Sequence, residues 1–187
     1  MKKLSKIIKK DNKEKKVDIL FDENHLKILK YNDKNIIETN DIVLTIPHLL
    51  DFDELIFRKE LISAFNYNDN KNFYLTAVCG GIEKDETPKE ALIRELEEEA
   101  GIRLDINYTK MEKIGEFYIG KMSSNKAHIY YLPLNNNDYV KVEAKGDGTY
   151  SESVSSVLRV SLNYINDLKP ADLPTALCLE KIKNILK

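Results

Sequence analysis

The chain has little that would place it in a membrane, a disulfide framework or a zinc fold. No apolar run approaches the ~18 residues needed to cross a bilayer, and the lysine-rich start lacks the apolar core of a secretory signal. Cysteine is scarce: Cys79 and Cys178 are the 2 in 187 residues, far apart and outside any C-x-x-C. Such usage argues for a reducing compartment and against a structural zinc site, and the cytoplasm is the expected location. The 3 histidines, His25, His48 and His128, are scattered and fall in no motif. No internal repeat is present.

What is present is ordinary globular material with unevenly spread charge. Hydrophobic content of 42% and aromatic content of 9% suit a packed domain. The length allows one domain with a real core and at most a small appendage. Eight lysines stand against Asp11 and Glu14 in the first 16 residues; of 29 basic and 31 acidic residues, 21 and 29 remain beyond them. A basic arm of this kind contacts nucleic acid or is a solvated end. Leu4, Ile7 and Ile8 also share one helical face, so a short helix docked on the body is a further reading. The arm has no aromatic residue to stack on bases, which favours the solvated or docked end.

The densest chemical pattern lies in residues 80–102. Thr87 and Glu90 form a capping box, Pro88 suits the first helical position, and Gly101 supplies a left-handed stop. The spacing predicts a glycine turn at Gly80-Gly81 and then a helix from Pro88 to Ala100. At about 100° per residue from Ala91, Glu98, Glu95 and Glu99 fall near 340°, 40° and 80°. They border an apolar stripe of Leu92, Leu96, Ala100 and Ile93, while Glu97 faces solvent. Three carboxylates so placed repel one another. Close-set oxygen donors suit a hard divalent cation such as Mg²⁺ or Mn²⁺. Arg94 is placed to brace the cluster through Glu98 or Glu86. A glutamate-rich solvated face is the plain alternative.

The whole stretch resembles the signature of the Nudix hydrolases, G-x5-E-x7-R-E-U-x-E-E-x-G-U with U apolar. Gly80, Glu86, Arg94, Glu95, Leu96, Glu98, Glu99, Gly101 and Ile102 fill every specified position. A full match at fixed spacing sets the solvated-face reading aside. The resemblance implies an α/β fold, the Nudix α/β/α sandwich with a mixed sheet, over residues 42–187. Residues 1–41 then form a basic arm and a small β-rich extension.

The same resemblance implies that Glu95, Glu98 and Glu99 hold the metal together with the backbone carbonyl of Cys79, Glu95 and Glu99 being direct ligands. The Cys79 thiol itself reads as core filling. Hydrolysis of a diphosphate needs neutralised phosphoryl oxygens and a water activated for in-line attack. Glu98 or the loop residue Glu152 is the expected base, with Arg94 in support; Glu152 is otherwise a solvated loop residue. Arg58 is expected to grip phosphate with its planar guanidinium, or else to lie on the surface. Gly80 and Gly81 belong to the substrate side, and Glu86 and Gly101 to the shape of the motif. Tyr108, Tyr118, Tyr130 and Tyr131 are candidates for stacking on a base, though strand-spaced tyrosines commonly fill core or rim.

The extension and a C-terminal helix around Thr175-Ala176-Leu177 are similar to the ADP-ribose and ADP-sugar pyrophosphatases. That likeness implies a small nucleotide substrate, cleavage between the phosphates of a nucleotide sugar, and a homodimer. One departure is the stretch Gly120-Lys121-Met122-Ser123-Ser124, where those enzymes often carry Ser-Pro-Gly. Tyr118 is similar to a tyrosine of dinucleoside polyphosphate hydrolases. Removal of 5′ phosphates or a cap from RNA rests on the lysine arm and is opposed by the acidic remainder. A Nudix-fold sensor that binds without cutting typically loses motif glutamates, and this chain keeps them.

Elsewhere the patterns predict strands over 17–21, 25–31, 36–38, 42–46 and 73–78, with a turn at 32–35. A strand within 53–63 is expected to break at Arg58-Lys59-Glu60, before a polar loop over 67–72. Strands follow over 111–118 and 127–132, and Leu158, Val160 and Leu162 mark a half-buried strand. Leu177, Cys178, Leu179, Ile182, Ile185 and Leu186 define a closing helix with Pro174 near its start.

Overall fold

The computed structural model describes residues 4–10, 13–23, 26–69, 73–146 and 148–187. The chain begins with strands β1 (Leu4–Lys10), β2 (Lys13–Glu23), β3 (Leu26–Tyr31) and β4 (Lys34–Glu38), an antiparallel meander in that spatial order. Asn32 and Asp33 make the β3–β4 turn at φ of 47° and 62°, the left-handed region that short polar side chains tolerate. Leu4–Lys10 is therefore a strand and not a docked helix: it pairs in register from Leu4 with Ile19 to Lys10 with Lys13. A lone helix of that length is far short of the ~12–15 residues that give marginal stability, whereas a neighbouring strand gives its backbone groups partners. His25, and the start of the strand expected at 25–31, lie outside the described residues.

The body follows as β5 (Ile42–Thr45), β6 (His48–Leu49), β7 (Glu54–Glu60), α1 (Ser63–Asp69), β8 (Tyr74–Thr76) and β9 (Val78–Gly81). Next come α2 (Pro88–Ala100), β10 (Ile102–Arg103), β11 (Glu112–Tyr118), β12 (Lys126–Tyr131), β13 (Pro133–Leu134) and β14 (Val140–Lys141). Then α3 (Tyr150–Val154), β15 (Ser156–Ser161) and α4 (Leu173–Ile185) complete it. One sheet runs β11-β12-β5-β9, with β12 and β5 parallel and the other pairs antiparallel. A second runs β13-β6-β7-β15, with β8 also on β7, and β10 and β14 form a separate antiparallel pair.

Helices α2 and α4 cover opposite faces of these sheets, and the strands show why. Successive strand residues point to opposite faces. Val43 and Ile56 pack with Ala91, Leu92 and Leu96 of α2. Their neighbours Leu44, Leu55 and Phe57 pack with Cys178, Leu179 and Ile182 of α4. This is the α/β/α sandwich with a mixed sheet, preceded by a strand-rich extension.

Three local expectations change. Strand β7 continues through Arg58, Lys59 and Glu60, because these residues pair with β8 on one side and Arg58 and Lys59 with β15 on the other. Gly80 and Gly81 end strand β9, paired with Val43 and Ile42, and do not form a turn. The polar stretch at 67–72 starts inside α1, and residues 70–72 lie outside the described residues. Among the described residues no helix is long and apolar enough to cross a membrane.

Candidate active site

Helix α2 is fixed at both ends by its own sequence. The Thr87 side chain accepts the Glu90 amide at 3.3 Å, and the Glu90 carboxylate accepts the Thr87 amide at 2.8 Å. Gly101 ends the helix at φ 64° and donates to the Leu96 carbonyl. Burying Ala91, Leu92 and Leu96 against the sheet leaves Glu95, Glu98 and Glu99 along one edge. Glu95 and Glu99 are 8% and 7% exposed. Strand β9 runs beside them, and a Cβ on Gly80 would overlap the Glu95 carboxyl.

Arg94 is the hub of the cluster. Its Nε and one terminal nitrogen each donate at 3.0 Å to the two oxygens of Glu86. The same terminal nitrogen reaches the Gly81 carbonyl at 2.9 Å, and the other reaches Glu95 at 2.6 Å and Glu98 at 3.2 Å. Glu86 is itself held by the Glu83 amide at 3.0 Å. Hydrogen bonding to Arg94 keeps the Glu86 carboxyl below its ordinary range and, reciprocally, raises the guanidinium pKa further.

The buried glutamates show the opposite tendency. Burial pushes Glu99 up to about 9, and the charges of Glu60 and Glu95 add to it, against the Cys79 amide and Arg58. Burial likewise raises Glu95, with Arg94 opposing and Glu98 and Glu86 reinforcing. The Glu99 carboxylate accepts the Cys79 amide at 3.0 Å. Burial, and then the charge of that carboxylate, raises the Cys79 thiol well above its ordinary range, which disfavours the thiolate.

Cys79, Gly80, Gly81, Arg94, Glu95, Glu98 and Glu99 line one cavity of about 840 Å³. Six further residues complete its wall: Leu26, Thr39 and Asn40 from the extension, Ile42 from β5, Glu83 from the loop before α2, and Gly146 from the loop before α3. Gly146 donates its amide to the Glu98 carbonyl at 3.0 Å, which docks that loop on the helix end. No local pattern marks Leu26, Thr39, Asn40 or Gly146, since each reaches the cavity from a distant element.

Other candidates stand elsewhere. Arg58 is 3% exposed, and its guanidinium donates to the Glu99 backbone carbonyl at 2.6 Å. It is neither a surface arginine nor part of the cavity wall, because β7 runs beneath the end of α2. Glu152 lies in α3, its side chain outside the described residues. Tyr118 is exposed, with the Lys126 ammonium 5.5 Å from its ring centroid. Tyr108 donates to the Pro133 carbonyl, the Tyr131 hydroxyl meets His48, and Tyr130 is buried in the core. None of the four tyrosines lines the cavity.

The donor set fits a hard divalent cation. Among the described residues no three His, Cys, Asp or Glu side chains are gathered as a finished cage; Glu95 is turned to Arg94 and Glu99 to the Cys79 amide. Yet all three glutamates offer oxygen at one wall, and burial makes the ionised forms of Glu95 and Glu99 costly until a cation neutralises them.

A family model for the NUDIX domain matches residues 53–172. The chain belongs to that family, and as an enzyme it is a Nudix pyrophosphohydrolase. Nudix hydrolases generally use divalent metals. The fold is similar to that in the crystal structure of an ADP compounds hydrolase, with a TM-score of 0.63 at 18% identity. That likeness covers 98% of this chain and 91% of the other, so it extends over the N-terminal sheet. No curated protein matches the chain by sequence.

Proposed function

We propose that the chain hydrolyses the diphosphate bond of a nucleoside diphosphate linked to a sugar, ADP-ribose or a nucleotide sugar, releasing a nucleoside monophosphate and a sugar phosphate. One observation carries this reading: a single cavity joins the motif glutamates to Leu26, Thr39 and Asn40 of the extension. A charged pole and a neutral, partly apolar wall thus share a space of about 840 Å³, a size that suits a nucleotide-sized ligand.

Glu95, Glu98, Glu99 and the Cys79 carbonyl would hold Mg²⁺, with Mn²⁺ able to substitute. When bound, the cation supplies charge neutralisation and an activated water. Arg94 orients Glu95 and Glu98 through hydrogen bonds, and the Cys79 amide orients Glu99. Glu98 has the most exposed side chain of the three, which supports it as the group that takes the proton from the attacking water. Glu152 on α3 is the second candidate for that role. Residues 1–41 act as the extension and 42–187 as the hydrolase domain. Exposed Phe21 and Ile37 on the extension support a homodimer. Free Cys79 and Cys178 support a reducing compartment such as the cytoplasm.

The test is a phosphatase-coupled phosphate-release screen with Mg²⁺ or Mn²⁺. The panel holds ADP-ribose, ADP- and GDP-sugars, diadenosine polyphosphates, nucleoside triphosphates and 5′-triphosphorylated RNA. Turnover of sugar nucleotides, abolished by EDTA and cut about 10²-fold or more by Glu98→Gln or Glu99→Gln, is the expected result. Activity confined to RNA would transfer interest to the lysines of β1 and β2, and ADP-ribose bound but never cut would make the chain a sensor.

A further inference from the structure

The catalytic cavity has a neighbour. Asn40 and Glu83 line it and also line a second cavity of about 870 Å³, whose wall includes Asp41, Lys84 and His128. We propose that this adjoining cavity binds the hydroxyl-bearing sugar beyond the scissile diphosphate, with Asp41 and His128 at its hydrogen-bonding centre. The proposal rests on the reading of the chain as a sugar-nucleotide pyrophosphatase.

Asp41 is held in place from several sides. Its carboxylate accepts the Lys126 amide at 2.8 Å, and its carbonyl accepts the Ile82 amide at 2.8 Å. The second carboxylate oxygen stands 3.4 Å from His128 Nε2. His128 belongs to β12, where its neighbours Ala127 and Ile129 pack in the α4 core. Alternation turns His128 to the other face, where it is 7% exposed yet lines the second cavity. Its Nδ1 lies 3.4 Å from a Glu116 oxygen but makes no hydrogen bond. A buried polar ring between two carboxylates, with one nitrogen unsatisfied, is costly as mere core filling. At a ligand wall the same ring is preorganised.

The lining also tells which part of a substrate fits. Asp41, Glu83 and Glu86 outnumber Lys84, so a further phosphate is disfavoured there. Carboxylates and the Asn40 amide are good acceptors for sugar hydroxyls. A base needs more apolar wall than Ile82 and Pro88 provide, whereas Leu26 and Ile42 stand on the catalytic cavity. The base therefore lies toward Leu26, the diphosphate beside Arg94 and the motif glutamates, and the outer sugar toward Asp41.

The experiment compares kcat/KM of the full chain with Mg²⁺ for two substrates, ADP-ribose and the propyl ester of ADP, which lacks the outer sugar. Asp41→Asn keeps an acceptor for the Lys126 amide, and His128→Gln is the second variant. Each should lower the preference for ADP-ribose over the ester about tenfold, the order expected when a hydrogen-bonding partner of the substrate is lost. An unchanged preference, with both substrates losing equally, overturns the subsite. If the wild-type chain cuts neither substrate, that failure belongs to the proposed function, and calorimetry of ADP-ribose binding in Ca²⁺ reads the subsite instead. Binding about tenfold weaker in Asp41→Asn supports it; binding equal in the two proteins, or none in either, overturns it.

Discussion

Arg58 reaches from β7 to the last turn of α2, where its guanidinium donates to the Glu99 carbonyl at 2.6 Å. Its Nε faces the Glu60 carboxylate at 3.4 Å. Helix ends leave carbonyls without intrahelical partners, and here a buried cation fills that need on the turn that carries Glu99. Arg58→Ala should leave that buried carbonyl without its donor beside the half-buried Glu60 carboxylate, at a cost of about 2 kcal/mol. Urea unfolding measures this. Arg58→Lys should recover only part, since one ammonium replaces a planar fork. Equal stability of wild type and Arg58→Ala would show that α2 holds its last turn unaided.

Gly80→Ala tests the approach of β9 to the helix. The added Cβ would overlap the Glu95 carboxyl, so Glu95 must rotate and give up its 2.6 Å contact with Arg94. A misplaced catalytic group can cost on the order of 10²-fold in rate. We expect kcat/KM on the best substrate of the screen to fall by about that factor, and Mn²⁺ affinity, followed by electron paramagnetic resonance, to fall with it. Unchanged Mn²⁺ affinity would detach Glu95 from the metal.

The contrast between these two residues shows what was legible in the sequence. Everything about α2 is local: Thr87, Pro88 and Gly101 set its ends, and the 3.6-residue period separates Leu92 and Leu96 from Glu95, Glu98 and Glu99. Arg58 follows a different logic. In a strand tally it looks like a polar interruption, because burial against the end of a helix 41 residues later leaves no trace in spacing. Leu26, Thr39 and Asn40 carry no sequence signal for the same reason, since their place at the cavity depends on how the extension docks. Leu4, Ile7 and Ile8 read as a helical face, but the partner strand 13–19 decided the outcome.

Thr87→Ala isolates the start of the helix from the chemistry. Thr87 lines neither cavity, and its side chain accepts the Glu90 amide at 3.3 Å. Loss of an N-cap acceptor costs about 1 kcal/mol. Chemical denaturation should register that cost, while kcat/KM at 25 °C stays within about twofold, as the folded fraction hardly changes. A tenfold loss of activity would mean that the capping box also sets the position of Glu95.

His48 supplies a pH dependence whose sign follows from its surroundings. It lies on β6, 5% exposed, with Nδ1 3.1 Å from the Tyr131 hydroxyl and no hydrogen bond at Nε2. Burial lowers its pKa from the ordinary 6.5, against the opposing charge of Asp53. As the pH falls below 6.5 the unfolded chain takes up this proton first. The unfolded state then binds more protons than the native one, so stability drops as pH falls from 6.5 toward the native pKa and is flat above 6.5 for this group. Urea unfolding at steps from pH 7.5 to 5 should give a steeper acid-side decline in wild type than in His48→Gln. Parallel declines in the two proteins would mean that His48 is charged in the native state, and Asp53 would then be its partner.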